Sequence, residues 1–293
     1  MTGYRIEHRT TYTYDGDVTG SYGQFHLRPR DLDWQTCLSH EIRVEPGAAE
    51  LHRHLDLYGN TKSYFHVVQP HTELVITAVS LVEVGRRELD PEALATPWER
   101  ARPLERDDVE DAWEATDFTF PSPYVEIPPG IREYAATSFV PGRPVGEAAV
   151  DLMRRVHDDF TYKSGATTTS TTVSELLGDM RGVCQDFSHF MVSALRSLGL
   201  GGRYVSGYLA TRPPVGRPRL VGADASHAWV GCWVPGAGWL YLDPTNRRVI
   251  DETHATVAFG RDYGDVPPVK GVIFSEAKKS TLKVSVDMAP AAT

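Results

Sequence analysis

The chain has 293 residues and a formal net charge of −9, with 41% hydrophobic and 24% charged residues. These proportions describe a folded soluble protein of about two domains and exclude a mainly disordered chain. The acidic balance argues against a basic surface for nucleic acid or anionic lipid spread over a whole domain.

Three cysteines, Cys37, Cys184 and Cys232, are scattered without a CxxC pair. An odd, dispersed set argues against a disulfide framework or a thiolate zinc site and suits a reducing cytosol. The opening residues, MTGYRIEHRT, lack a basic segment followed by an apolar run, so no signal peptide is expected. No apolar stretch approaches the roughly 18 residues of a membrane span. The expected location is the cytoplasm, with no membrane partner.

Residues 1–85 read as strands. Tyr4, Ile6, His8, Thr10, Tyr12 and Tyr14 alternate with mostly polar neighbours, as do Leu38, His40, Ile42 and Val44. Period-two runs broken by Gly, Pro and Asn predict an antiparallel sheet or sandwich, with Glu73–Val84 as a central strand and Gly59-Asn60 as a hairpin turn. Residues 86–130 are charged and then proline-rich, a surface connection with at most short helices. The expected organisation is therefore a β-sandwich-like domain with linker over 1–115 and a second domain over 116–293.

The period then becomes helical. Val145, Ala149, Leu152, Met153, Val156 and Phe160 fall on one helix face. Thr172-Val173-Ser174-Glu175 fits a capping box, predicting a short helix over 173–178. Phe187, Phe190, Met191, Ala194, Leu195 and Leu198 mark another helix, stopped by Gly199, Gly201 and Gly202. Strands are predicted over Arg203–Ala210, Ser226–Val234 and Trp239–Asp243, the last two joined across Pro235–Gly238. Two more are expected within 272–288, with a pairing edge on the N-terminal region.

Cys184 lies at or within the first turn of the 187–198 helix. Most lone cysteines are buried structural thiols. A helix start differs, because unpaired amides and the macrodipole favour a thiolate. A thiol nucleophile needs a base, and the base needs an orienting group. His227 on the 226–234 strand supplies the first. If 234 faces 238 across the turn, 227 faces 245 and Asp243 is the diagonal neighbour on the same face. The expected geometry has Asp243 taking the imidazole Nδ1–H and Nε2 facing the thiol. Asp224 and Asp251 are the next carboxylates should Asp243 fail. Cys232 falls on the other sheet face and reads as packing. His189 sits roughly 140° around the helix from Cys184 and points elsewhere. His52 and His54 lack an identifiable third metal ligand.

These residues carry a resemblance. Gly182-Val183-Cys184-Gln185-Asp186-Phe187-Ser188-His189, Asp224-Ala225-Ser226-His227-Ala228-Trp229 and Asp243-Pro244-Thr245-Asn246 resemble the transglutaminase-like superfamily. The nearest group is the bacterial transglutaminase-like proteins described as candidate cysteine proteases. Tyr204–Tyr208, Val257–Val266 and, more weakly, Tyr4–Thr10, Leu27–Arg30 and Tyr58–Asn60 extend the likeness over nearly the whole chain. The resemblance implies an α+β fold: a papain-like core, with the cysteine helix on an antiparallel sheet, preceded by an all-β domain. It implies a Cys184–His227–Asp243 triad and a thioester intermediate. Calcium sites of the animal enzymes are not carried over, since no acidic twelve-residue loop ending in glutamate is present.

The Cys184 backbone N–H is one natural oxyanion donor. Gln185, Tyr162 and Trp229 are the candidates for a second and for substrate contact, with core packing the competing reading for the tryptophans. The expected activity is that of a hydrolase or acyl transferase on a protein or peptide amide, without metal or other cofactor and without nucleic acid. The competing class is a catalytically silent binding module.

Overall fold

The computed structural model describes residues 1–211 and 226–291. Two antiparallel sheets dominate it. The first has seven strands. Its backbone is the long opening strand Thr2–Phe25, which pairs with His71–Val84 through its first half and with Thr61–Val67 through its last residues. Gln35–Glu45 and Glu50–Leu55 complete that path at its two ends. Gly59, at a φ of +70°, turns the chain between Glu50–Leu55 and Thr61–Val67, where glycine meets no Cβ penalty.

Both C-terminal strands, Val269–Ser275 and Ser280–Pro290, pair with the opening strand. The chain therefore ends in the sheet where it began. Tyr4, Ile6, Val82, Val84, Val286 and Met288 from this sheet share one apolar cluster with Tyr204, Tyr208, Ala228, Ala255 and Val257 from the second. Burying these side chains together fastens the two sheets.

The second sheet runs in the order Arg248–Val249, Gly238–Asp243, Ser226–Val234, Gly202–Leu209, His254–Gly260. Cys184–Ser197, the cysteine helix, packs against it through a cluster that joins Phe187, Phe190, Met191 and Leu195 to Val230, Cys232, Leu240 and Leu242. Helices Val145–Asp159 and Val173–Asp179 cover the helix from the other side. In the shorter one, Thr172 Oγ1 accepts from Glu175 N while the Glu175 carboxylate accepts from Thr172 N, the expected capping box.

The cysteine helix is buried all round from Asp186 to Ser197, not along one face only. Three of its polar residues have partners that sequence periodicity cannot show. Arg196 donates to the carbonyls of Phe118, Gly202 and Arg261, Ser193 to that of Glu126, and His189 Nε2 accepts from Tyr263 N. Backbone from three flanking segments thus takes up the Arg196, Ser193 and His189 side chains, while Ser188 Oγ and His189 Nδ1 stay buried without a partner.

Residues 86–130 form the short helical turns expected of them, but not only a surface connection. Trp98, Ala101, Ala112, Ala115, Phe118 and Val125 are buried. Ala112, Ala115 and Phe118 pack with Trp233 and Trp239. The charged residues between them hide this pattern, because each buried residue is isolated in sequence and none sets a period.

Candidate active site

Cys184 is the first residue of its helix, with Val183 as the N-cap. The turn is held by Asp186, whose carboxylate accepts from Val183 N at 2.7 Å and from Thr167 Oγ1 at 2.6 Å. Gly182 is required here, since a Cβ at that position would run into the Asp186 side chain. Placed this way, Cys184 stands partly exposed, whereas Cys37 and Cys232 are buried. Burial pushes the Cys232 thiol up to about 12, and Cys37 is raised for the same reason.

The hairpin has the register read from the turn: Val234 pairs with Gly238 and Val230 with Leu242. Asp243 consequently reaches His227 diagonally. Its Oδ2 lies 2.8 Å from His227 Nε2. The expected use of the two ring nitrogens is reversed. Nε2, not Nδ1, meets the carboxylate and also lies 3.2 Å from Asn246 Nδ2, which leaves Nδ1 for the Cys184 side chain, a further hydrogen-bond partner of the imidazole. Diagonal sheet neighbours are about 7–8 Å apart at Cα, so a short aspartate needs the far ring nitrogen to close the gap.

Burial alone would lower the His227 imidazole. Its hydrogen bonds to Asp243 and Cys184, and the charges they bring, raise it instead to about 10. Burial would likewise raise the Asp243 carboxyl, but hydrogen bonds from His227 and His254 hold it well below the usual carboxylate range. The His227 imidazolium is thus held between a buried carboxylate on one side and the Cys184 side chain on the other.

Two further residues complete the surroundings of Asp243. Asn246 donates through Nδ2 to Oδ2 at 2.7 Å, and the backbone N–H groups of Thr245 and Asn246 donate to Oδ1 at 3.0 and 3.1 Å. His254 Nε2 lies 3.3 Å from Oδ2. Sequence reasoning quoted Asn246 only inside a motif and missed His254. Asp251, the reserve carboxylate, faces His254 rather than His227. Asp224 lies outside the described residues.

Trp229 requires a correction. It shares its face with His227 as expected, but it is fully buried and lines no described cavity. Gly207 leaves room for the Trp229 ring, which packs 6.0 Å from the His227 ring and 5.3 Å from that of His254. The indole supports the imidazole from inside. Trp233 and Trp239 are packed in the same cluster. Gln185 lines the cleft, with Nε2 donating to Thr169 O at 3.2 Å. Tyr162 is 59% exposed beside Phe187, and its hydroxyl is raised by burial and by Cys184. His52 and His54 are exposed on Glu50–Leu55, where His54 stacks on Tyr64.

Cys184 and His227 open into a cavity of about 260 Å³. One wall is the core: Val183, Gln185, Tyr204 and Ser206. The other comes from the first sheet: His8, Thr10 and Tyr12 of the opening strand, Leu282 and Val284 of the last. The first sheet therefore supplies one wall of the cleft. No Asp, Glu, Lys or Arg lines it among the described residues. A larger cavity of about 670 Å³ lies between the 87–95 segment and helix Val145–Asp159, remote from Cys184 and lined by no cysteine or histidine.

Comparison with known proteins agrees with this arrangement. Residues 4–83 match the bacterial transglutaminase-like N-terminal region, and residues 133–244 the transglutaminase-like superfamily. An uncharacterised protein of Mycobacterium tuberculosis H37Rv is 45% identical over 98% of this chain and 92% of its own length. A protein-glutamine gamma-glutamyltransferase of Pseudomonas aeruginosa is 36% identical over 35% of this chain and 16% of its own. The crystal structure of a candidate cysteine protease from Cytophaga hutchinsonii superposes with a TM-score of 0.74, covering 100% of this chain and 94% of that one at 18% identity. With a cysteine helix on an antiparallel sheet and a β region ahead of it, the chain belongs to the transglutaminase-like superfamily.

Proposed function

We propose that this protein is a cysteine-dependent amide-bond enzyme working through a thioester. The observation that carries the reading is the line of Cys184, His227 and Asp243, whose first two members open into a cleft while the third is buried behind them. The Cys184 thiolate attacks the carboxamide carbon. The C–N bond breaks, and the departing nitrogen takes the proton of the His227 imidazolium. The acyl group stays on Sγ. Water or a primary amine then attacks the thioester carbon and gives its proton to His227, the C–S bond breaks, and the Cys184 thiolate beside the imidazolium is restored. Asp243 orients the imidazole throughout. The Cys184 N–H at the helix start serves the oxyanion, and Gln185, which lines the cleft, and Tyr162, whose hydroxyl feels the Cys184 charge, contact the substrate.

The uncharged cleft walls suit a neutral carboxamide and an apolar flank in a protein or peptide. Three free cysteines suit work in a reducing, cytoplasmic setting. No helix among the described residues is long and apolar enough to cross a membrane.

Iodoacetamide labelling followed by peptide mass spectrometry separates this reading from a silent binding module. Cys184 should be alkylated well before Cys37 and Cys232, and equal, slow labelling of all three would contradict a nucleophile. A glutamine peptide incubated with and without a primary amine then assigns the acceptor, since hydrolysis and amine incorporation give products of different mass. Cys184→Ala should abolish both while the fold is retained.

A further inference from the structure

Behind the site, the polar contacts do not stop at Asp243. His254 opens the strand His254–Gly260 at the far edge of the second sheet, and its side chain is fully buried. Its Nε2 lies 3.3 Å from Asp243 Oδ2, and its Nδ1 lies 3.1 Å from Asp251 Oδ1. Asp251 is itself held by Thr253, which donates through N and Oγ1, and it faces Arg248 at 3.4 Å. The result is one continuous line: Asp251, His254, Asp243, His227, Cys184.

We propose that His254 is a positioning residue of this site: by donating Nε2–H to Asp243 Oδ2 it fixes the carboxylate against His227. The proposal rests on the reading of Cys184 and His227 as the reacting pair.

The chemistry of the contact settles the direction of the bond. Asp243 is buried and, as a carboxylate, can only accept. Oδ2 already takes His227 and Asn246, so the ring nitrogen facing it at 3.3 Å is a favourable contact only if it carries hydrogen. Nδ1 accepts from the Asp251 N–H at 3.3 Å, which leaves the ring proton on Nε2; a ring that also donated from Nδ1 to the Asp251 carboxylate, 3.1 Å away, would have to carry protons on both nitrogens, and Nε2 would again be a donor. The groups around the ring are Asp243 on the aspartate strand, Asp251 in the preceding turn, His227 with its ring centre 6.4 Å away, and the apolar Trp229. Removing the donor loosens Asp243, which then orients the His227 imidazolium less well against Cys184. That disfavours the thiolate and moves the acid limb of Cys184 reactivity to higher pH.

The test compares His254→Gln with His254→Asn, read by the pH dependence of Cys184 alkylation by iodoacetamide in the intact protein. A glutamine amide reaches the place of Nε2, whereas an asparagine amide reaches only the place of Nδ1. The asparagine variant should move the acid limb up by about one pH unit, a loss of about tenfold in rate below the limb, and the glutamine variant should stay within about threefold of wild type. If both variants match wild type, or both are impaired equally, the donor role is overturned. If wild-type Cys184 itself alkylates like an ordinary free thiol, the Cys184–His227 pair fails first, and that failure is visible without any variant. Should neither variant fold, ¹⁵N spectra of the wild-type histidines decide: a protonated His254 Nε2 across the reactive pH range supports the proposal, and a bare Nε2 overturns it.

Discussion

Asp243 Oδ2 and His227 Nε2 are 2.8 Å apart because the two residues sit on one sheet face, one diagonal step from each other across a tight hairpin. Around that contact Asp243 accepts five hydrogen bonds: from His227, Asn246 and His254 on Oδ2, and from the N–H groups of Thr245 and Asn246 on Oδ1. Every one of these partners is a donor, which determines how the position responds to substitution.

Asp243→Asn should cost more here than in cysteine enzymes whose third member is an asparagine. An amide keeps one accepting oxygen and turns an NH2 toward groups that themselves donate. The expected loss in turnover is on the order of 10³, near that of the Ser-His-Asp worked example, where the matching change costs about 10⁴. Asp243→Ala should be worse, since it strands several buried donors at about 1–3 kcal/mol each. Steady-state kinetics beside a thermal melt checks this. Wild-type turnover in a folded Asp243→Asn protein would reduce Asp243 to the end of a strand.

Much of this site was legible in sequence for local reasons. The Pro235–Gly238 turn fixes the register, the register fixes the parity, and parity places His227 and Asp243 together while sending Cys232 into the core. The capping box and the helix start at Cys184 follow from neighbouring residues alone. His254 was illegible because its strand lies at the opposite edge of the sheet from Asp243, so no spacing rule joins them. The shared cleft was illegible for a related reason. The C-terminal strands were expected to seek an edge, and they found it on Thr2–Phe25, but only the packing of the two sheets shows that Thr10 and Leu282 face Cys184. The orientation of the imidazole depends on side-chain reach, which strand pairing does not encode.

The raised His227 imidazole makes a stability prediction with a definite sign. A group whose folded value lies near 10, above its ordinary value of about 6.5, stabilises the fold fully below about pH 6.5. That contribution fades as the pH rises through about 10. Melting curves of wild type and His227→Gln should therefore differ most below about pH 6.5, with the gap narrowing from there and closing near pH 10. A gap that stays constant from pH 7 to about 10 would show that His227 carries no paired charge.

Gly207 pairs with His227 across neighbouring strands, and a Cβ there would strike the Trp229 ring and the Ala255 carbonyl oxygen. Gly207→Ala should lower stability by about 1–3 kcal/mol, the usual cost of overpacking. It should also push the indole that supports the imidazole, so Cys184 alkylation should slow even at temperatures where the variant is fully folded. A variant that melts early but reacts normally when folded would separate Trp229 from the site.

Leu282 and Val284 test whether the first sheet takes part in substrate binding. Both are exposed on the last strand, at 59% and 47%, and both line the cleft opposite Cys184. Exposed positions tolerate a polar substitution with little effect on folding, usually within about 0.5 kcal/mol. A wall that only encloses solvent would tolerate Leu282→Asp without kinetic effect. A wall that holds the substrate flank would not, because a carboxylate there must be desolvated against an apolar group and adds negative charge near the thiolate. For a substrate with an apolar flank, Leu282→Asp should raise KM about tenfold with kcat changed far less, the pattern of lost binding that does not involve the reacting atoms. Leu282→Asn, equally polar but uncharged, should fall between the two and identify the part due to charge. If neither variant moves KM while Cys184→Ala still abolishes turnover, the substrate approaches from the core side alone and the first sheet serves only to enclose the cleft.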